Sequence, residues 1–173
     1  MEKISKLILG MIVSLSVLSC TKIQEMKHLQ TGETVPEFKT YTISGKNTGN
    51  DRLKGKPSVI ILFSTTCPDC HIQLPEIESL WYYGSEVINV LAIARGEKTE
   101  TVSDFWNKCG FTMPVAIDTD RAIYNLFDRG SKSGIPQIYI TDQKGTVIGY
   151  GDWREPLTTS DILKMIQSTL NNQ

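Results

Sequence analysis

The stretch Ser58-Val-Ile-Ile-Leu-Phe-Ser-Thr-Thr-Cys67-Pro68-Asp69-Cys70-His71 decides how the rest of the chain is interpreted. Its first half is an unbroken apolar, β-branched run, which is typical of a strand buried on both faces, hence central and parallel. Its second half places two cysteines two residues apart where a helix can begin, because Pro68 suits the first helical position. The stretch therefore predicts a reactive dithiol where a buried strand passes into a helix N-terminus.

A dithiol in this position suits thiol–disulfide exchange. The free backbone N–H groups and the dipole of a helix N-terminus stabilise an anion, and the thiolate is the form of cysteine that attacks a disulfide. We expect Cys67, at the helix N-cap, to be the exposed nucleophile, and Cys70, one turn further in, to be the buried resolving thiol. The Asp69 carboxylate opposes a second negative charge beside it, which argues against an extreme oxidant.

Other uses of a Cys-x-x-Cys motif have less support. A structural zinc site needs four ligands, and the sequence offers only His71 and Cys109 as further donors, so we predict no metal site. The run Cys67-Pro-Asp-Cys70-His71 matches the pattern of c-type haem attachment. Its fusion to a buried strand and the proline at position 75 leave little room for a porphyrin, so haem attachment stays a minor alternative.

The composition fits one folded domain. The chain has 173 residues, 18 basic and 19 acidic, and a formal net charge of -1. There is no basic patch of the kind that binds nucleic acid and no acidic excess of the kind found in disordered tails. Four cysteines, at positions 20, 67, 70 and 109, are too few and too unevenly spaced for a disulfide framework.

The first 19 residues have the pattern of a secretory signal. Lys3 and Lys6 accompany an apolar run of about a dozen residues, which is too short to cross a bilayer because a spanning helix takes roughly 20. The segment ends Ser16-Val-Leu-Ser-Cys20, which resembles the lipobox of bacterial lipoproteins, where the cysteine is acylated. A plain secretory signal with an incidental Cys20 is the alternative.

This N-terminus predicts an envelope protein. We expect a lipid anchor at Cys20, a polar tether over residues 20–32 in which His28 is solvated, and a folded domain over residues 33–173. The protein would then face the periplasm and be attached to a membrane through its acyl chains.

The rest of the chain alternates strand-like and helix-like segments, which predicts an α/β sheet layered by helices. The predicted strands are 58–64, 87–94, 115–117, 137–141 and 146–150, with edge segments at 35–38 and 41–43. The predicted helices run from Pro68 towards Trp81 with a kink at Pro75, from a capping box at Thr101 to Gly110, from Asp118, and from a cap at 158–160. Residues 45–50 and 96–100 are predicted loops, and the last two strands a hairpin.

Three features resemble the thioredoxin superfamily: Phe63-Ser-Thr-Thr-Cys67-Pro-Asp-Cys70, the proline five residues after the second cysteine, and Gly134-Ile-Pro136 before a strand. The runs 55–57 and 139–145 are similar to its TlpA-like group of anchored, extracytoplasmic thiol–disulfide oxidoreductases. The resemblance implies a thioredoxin fold, with a central mixed β-sheet, helices on both faces and an inserted strand–helix segment. It also implies that Pro136 is cis and lies against the dithiol, and that Ile135 offers its backbone to a substrate.

Two acids that such relatives use are absent here. Ile61 stands where thioredoxins carry a buried Asp, and Gln73 stands where some cytochrome-maturation reductases carry a Glu. We expect Glu76 or Asp69 to substitute for them near Cys70. The departures leave the exchange chemistry in place and its direction open.

The sequence therefore supports two hypotheses. The first is a lipid-anchored oxidoreductase that reduces disulfides in envelope proteins. Its only cofactor would be the redox-active Cys67–Cys70 disulfide, and a membrane thiol carrier would supply electrons. The second is a non-catalytic envelope lipoprotein that uses the fold to bind a partner or a metal.

Of the remaining candidates, Cys109 is predicted to be a small buried hydrophobe, and the sequence does not place Trp153 near the site.

Overall fold

The apolar run Ser58–Phe63 forms the central strand of the computed structural model, which describes residues 27–170. The strands are β1 (Lys39–Tyr41), β2 (Asn47–Gly49), β3 (Ser58–Phe63), β4 (Asn89–Arg95), β5 (Val115–Asp118), β6 (Gln137–Thr141) and β7 (Val147–Asp152). The helices are α1 (Pro68–Gly84), α2 (Thr99–Cys109), α3 (Ala122–Asp128) and α4 (Thr159–Leu170), with a short 3-10 helix at Asn50–Leu53.

Five strands make one sheet in the order β5-β4-β3-β6-β7. Strand β3 is buried along its whole length and pairs in parallel with β4 and antiparallel with β6. The predicted central position is therefore confirmed, and the sheet is mixed. The predicted final hairpin is also confirmed, because β6 and β7 pair antiparallel.

Alternate residues of β3 point into two different cores, because successive side chains of a strand face opposite sides of the sheet. Val59, Ile61 and Phe63 lie in one core with the apolar sides of α1, α2 and α4. Ile60 and Leu62 lie in the other, with α3 and the segments before β3. Helices thus cover both faces of a thioredoxin-type α/β sheet, as the sequence predicts.

Several predicted helix boundaries were wrong. Helix α1 runs through Pro75 and continues past Trp81 to Gly84. Helix α2 begins at Thr99 after Lys98, so Thr101 lies inside the helix and does not cap it. Its first helical bond joins the Val102 N–H to the Lys98 carbonyl. The helix can start there because no residue between Lys98 and Thr101 opposes it, and because Val102 already belongs to its buried face.

Strand β5 ends on Asp118 and α3 starts at Ala122, so the helix predicted to begin at Asp118 begins later. The Asp118 side chain instead accepts the N–H groups of Ile123 and Tyr124 across the turn, at 3.0 and 2.8 Å. Residues Asn47–Gly49, predicted to be loop, pair with β1 in a separate two-stranded sheet.

The end of the predicted tether packs against the domain. Leu29 is fully buried in the second core, and its backbone N–H donates to the Phe127 carbonyl at 2.7 Å. His28 is partly buried and stacks on Tyr150 with 3.9 Å between ring centroids, so the prediction of a solvated His28 was wrong.

The predicted signal and Cys20 lie outside the described residues. Within residues 27–170, no helix has the length and apolar character to cross a bilayer.

The burial of Leu29 gives a test of where the domain begins. Leu29→Ala should lower the free energy of unfolding by about 2–5 kcal/mol, because a fully buried leucine loses its contacts and leaves a cavity. Leu126→Ala makes the same chemical change at a position 40% exposed and should have a much smaller effect. Urea unfolding of both variants measures the difference. Equal effects would contradict the packing of the N-terminal segment.

Candidate active site

The dithiol lies at the carboxyl end of β3, where the chain turns into α1. Cys67 is the N-cap residue of α1 with extended backbone, and Pro68 occupies the first turn. The Cys67 sulfur accepts a hydrogen bond from the Cys70 backbone N–H at 3.3 Å. This is the position in which a side chain satisfies one of the free N–H groups of a helix start. A thiolate on Cys67 would receive the same bond, strengthened by its charge.

The two cysteines differ in their access to solvent. Cys67 is partly exposed and Cys70 is fully buried; both are free thiols, and the two residues approach each other to 2.8 Å. Burial raises the pKa of the Cys70 thiol, and its hydrogen bond with Cys67 raises the pKa further. The geometry thus offers one accessible sulfur and one protonated sulfur held directly behind it.

The loop before β6 reaches the dithiol from a distant part of the sequence. The Ile135–Pro136 peptide bond is cis. The Cys67 thiol donates to the Ile135 carbonyl with 3.6 Å between Sγ and O. Ile135 is half-buried and Pro136 is buried, so the accessible edge of this loop is formed by the residues that precede the proline.

A buried carboxylate holds this loop in place. Asp128, at the end of α3, accepts hydrogen bonds from the Ser131 hydroxyl, the Lys132 and Ser133 backbone N–H groups, and the Gln137 amide, at 2.9 to 3.1 Å. Burial alone would raise the pKa of Asp128, but these hydrogen bonds outweigh it and lower the pKa. The same Gln137 amide donates to the Gly134 carbonyl at 2.9 Å, which extends the support to Ile135.

Glu97, in the loop after β4, is a site residue that sequence reasoning missed. Its carboxylate accepts the Thr65 backbone N–H at 2.9 Å, the Thr65 hydroxyl at 2.5 Å and the Ser64 hydroxyl at 3.2 Å. His71 fixes the other side of the same residue, because its Nε2 donates to the Thr65 carbonyl at 2.7 Å while its ring stacks on Phe105. Together these bonds hold Ser64 and Thr65 in place shortly before Cys67. With its Nε2 committed to Thr65, His71 is poorly placed to serve as a haem ligand.

The structure separates the two acids expected to substitute near Cys70. The prediction for Glu76 was wrong, because its carboxylate accepts the Thr159 N–H and hydroxyl at 3.0 and 2.8 Å and so caps α4. Asp69 is exposed, and its negative charge contributes to the raised pKa of Cys70. Its role as the substitute acid stays a prediction.

Gln73 is buried and neutral at the position where the resemblance described above would have placed an acid. Its amide donates to the Leu157 carbonyl at 2.6 Å, and its carbonyl oxygen accepts the Leu157 N–H at 3.2 Å. The side chain therefore ties α1 to the segment before α4. Ile61 is fully buried in β3, as an apolar residue at that position requires.

The remaining candidates take positions that the sequence did not indicate. Cys109 is exposed at the end of α2, so the prediction that it is buried was wrong. Trp153 lies beside the loop before Pro136, because its indole N–H donates to the Ser133 carbonyl at 3.1 Å. Among residues 27–170 there is no group of three or more His, Cys, Asp or Glu side chains placed to hold a metal ion.

Comparisons with known proteins point to one family. A family model described as the AhpC/TSA family matches residues 31–149, more than half of the chain. The chain is 26% identical over 125 residues to the thiol-disulfide oxidoreductase ResA of Bacillus thuringiensis (strain Al Hakam), a match that covers 72% of this chain and 70% of that protein.

Two solved structures have the same fold. A putative protein disulfide isomerase from Bacteroides thetaiotaomicron superposes with a TM-score of 0.71 at 21% identity, over 84% of this chain and 93% of that one. A thiol:disulfide interchange protein of the thioredoxin family from Chlorobium tepidum TLS gives a TM-score of 0.66 at 26% identity, over 82% of this chain and 98% of that one.

The role of Glu97 can be tested by removing its charge. Glu97→Gln should lower the free energy of unfolding by about 1–2 kcal/mol, because an amide nitrogen would face donors that now bond to a carboxylate. We also expect a lower kcat/KM for disulfide exchange, because the segment that positions Cys67 loosens. Glu100→Gln, an exposed glutamate three residues further on, is the matched control. A control variant with losses of the same size would refute this role.

Proposed function

The chain belongs to the AhpC/TSA family and is a thiol–disulfide oxidoreductase with a thioredoxin fold, and on that basis we propose that it reduces disulfides in proteins of the cell envelope. The observation that carries this proposal is the partly exposed Cys67 sulfur, which lies at a helix N-terminus between the Cys70 N–H and the Ile135 carbonyl. An accessible sulfur with a second, buried sulfur behind it can begin an exchange and then complete it.

In the first step, the Cys67 thiolate attacks one sulfur of a substrate disulfide. A bond forms between Cys67 and that sulfur, the substrate S–S bond breaks, and the other substrate sulfur leaves as a thiolate that takes up a proton. The backbone N–H of Cys70 stabilises the attacking thiolate. The Ile135 carbonyl is free to accept a backbone N–H from the substrate once the Cys67 proton has gone.

In the second step, Cys70 loses its proton and attacks the Cys67 sulfur of the mixed disulfide. The Cys67–Cys70 disulfide forms, the bond to the substrate breaks, and the second substrate thiolate leaves and is protonated. The substrate disulfide has then gained two electrons and two protons, and the protein dithiol has lost them. A dithiol donor must reduce the protein again, and we assign this task to a membrane thiol carrier.

The dithiol motif itself supports reduction as the direction. A strong oxidant requires a reduced form that is stabilised by its thiolate. The exposed Asp69 carboxylate lies between the two cysteines in the sequence, and its negative charge disfavours a second one beside it. This arrangement argues against a strong oxidant.

The proposed location depends on the N-terminal sequence. A signal over residues 1–19, with acylation of Cys20, would place the enzyme in the envelope, attached to a membrane and facing the periplasm. Its substrates would be proteins that carry disulfides or thiols in that compartment, where disulfides form and persist.

The mechanism predicts which variant traps a substrate. Cys70→Ser, in a Cys109→Ser background that removes the exposed extra thiol, should accumulate mixed disulfides through Cys67 because the second step is blocked. Non-reducing gels of cells or of purified protein mixed with a disulfide-bonded peptide would detect them, and mass spectrometry would identify the linked cysteine. The matched control, Cys67→Ser in the same background, should trap far less. If neither variant forms a mixed disulfide, the proposal is wrong.

The pKa of Cys70 predicts a pH dependence of the second step. Because burial holds this pKa above the normal range, the thiolate fraction of Cys70 should rise about tenfold per pH unit from about pH 6 to 9, and the rate of resolution with it. Rapid mixing of the reduced protein with a chromogenic disulfide separates this unimolecular step from the first, bimolecular one. A resolution rate that does not change with pH would contradict the assignment of Cys70.

A further inference from the structure

Trp153 is fixed against the loop that carries Ile135. Its indole N–H donates to the Ser133 carbonyl at 3.1 Å. The ring also packs on Gly134, where a β-carbon would lie 3.3 Å from the indole nitrogen and 3.5 Å from Cδ1. Gly134 has a φ of 84°, a conformation that residues with a side chain rarely adopt. The backbone geometry therefore favours glycine here, and the indole lies close enough that an added β-carbon would press against it.

A charged neighbour also lies over the indole. The Arg154 guanidinium lies 5.6 Å from the ring centroid. It is anchored in turn by the buried Asp152 carboxylate, which it contacts at 2.5 Å. An aromatic ring fixed in this way loses little conformational freedom when another group packs on it, so its contact area can be used for binding.

Trp153 nevertheless remains 50% exposed, which leaves part of this immobilised ring open to solvent. The loop residue that holds the indole is also close in the chain to the one that touches the reacting sulfur. Ser133, which holds the indole, and Ile135, whose carbonyl touches Cys67, are two residues apart, at most ~7 Å along the chain. A peptide attached to Cys67 would therefore pass the indole within a few residues of its own cysteine.

We propose that Trp153 determines substrate choice, and that its exposed face receives a large apolar side chain lying within three residues of the substrate cysteine that Cys67 attacks. The inference rests on the proposed function. It also names the substrate class: disulfides in polypeptide segments that are not yet folded. In a folded protein a large apolar residue beside a cysteine is usually buried, whereas an unfolded segment exposes both.

The experiment compares disulfide-bonded peptides that differ only in one residue. A panel carries either leucine or serine at each of the three positions on either side of one cysteine, and kcat and KM are measured with dithiothreitol as the reductant. At the position that meets the indole, the wild-type protein should prefer leucine by roughly three- to tenfold in kcat/KM, mainly through KM.

Three variants test whether Trp153 causes that preference. Trp153→Ala should bring the leucine-to-serine ratio close to one, and Trp153→Phe should keep most of it because an aromatic face remains. Tyr83→Ala removes an aromatic side chain that is 86% exposed at the far end of α1, and it should leave the ratio unchanged. Because each ratio is measured on a single preparation, partial unfolding of a variant does not change it.

The outcomes separate this inference from the proposed function. If the wild-type protein reduces none of the peptides, the proposed function fails. If it reduces them all with no preference at any position, or if Trp153→Ala keeps the wild-type ratio, the function stands and the role of Trp153 is refuted.

Discussion

The antiparallel pairing of Leu62 with Gln137 brings together two loops that are far apart in the chain. Leu62 stands near the end of β3, shortly before the dithiol, and Gln137 opens β6 directly after the cis proline. Because this pairing puts both strand ends at one edge of the sheet, the Cys67 sulfur can touch the Ile135 carbonyl. A slip of one residue would send the β3 side chains to the opposite faces and pull the two loops out of line.

Each of these loops is then held by a carboxylate. Glu97 accepts hydrogen bonds from the residues before Cys67, and Asp128 accepts them from the residues before Ile135. Loop backbone has no strand or helix partners of its own, so its N–H groups need acceptors from elsewhere. A charged acceptor forms stronger bonds than a neutral one. The site is therefore formed where two irregular segments meet. Glu97, from the loop after β4, holds the segment before Cys67, and Asp128, from the end of α3, holds the segment before Ile135.

The sequence reveals β3, the dithiol and the order of strands and helices because each depends on a local pattern of apolar residues and breakers. The supports of the site depend on partners distant in sequence and have no such pattern. Glu97 acts on residues 32 positions earlier, and a single glutamate in a loop resembles any solvated one. Leu29 stands alone among polar residues, so no periodicity marks it as buried. Cys109 is the last residue of α2 and is exposed, although a lone cysteine in a sequence more often marks a buried position.

Gln73 illustrates what a neutral residue contributes at such a junction. Its amide bonds in both directions with the Leu157 backbone and so fastens the helix that carries the dithiol to the segment before α4. A carboxylate in that place would take up a proton as the surroundings became more acidic, and its hydrogen bonds with the Leu157 backbone would change with it. An amide does not titrate. The bonds between Gln73 and Leu157 therefore do not depend on acidity, and the helix that carries the dithiol keeps this attachment as the pH changes.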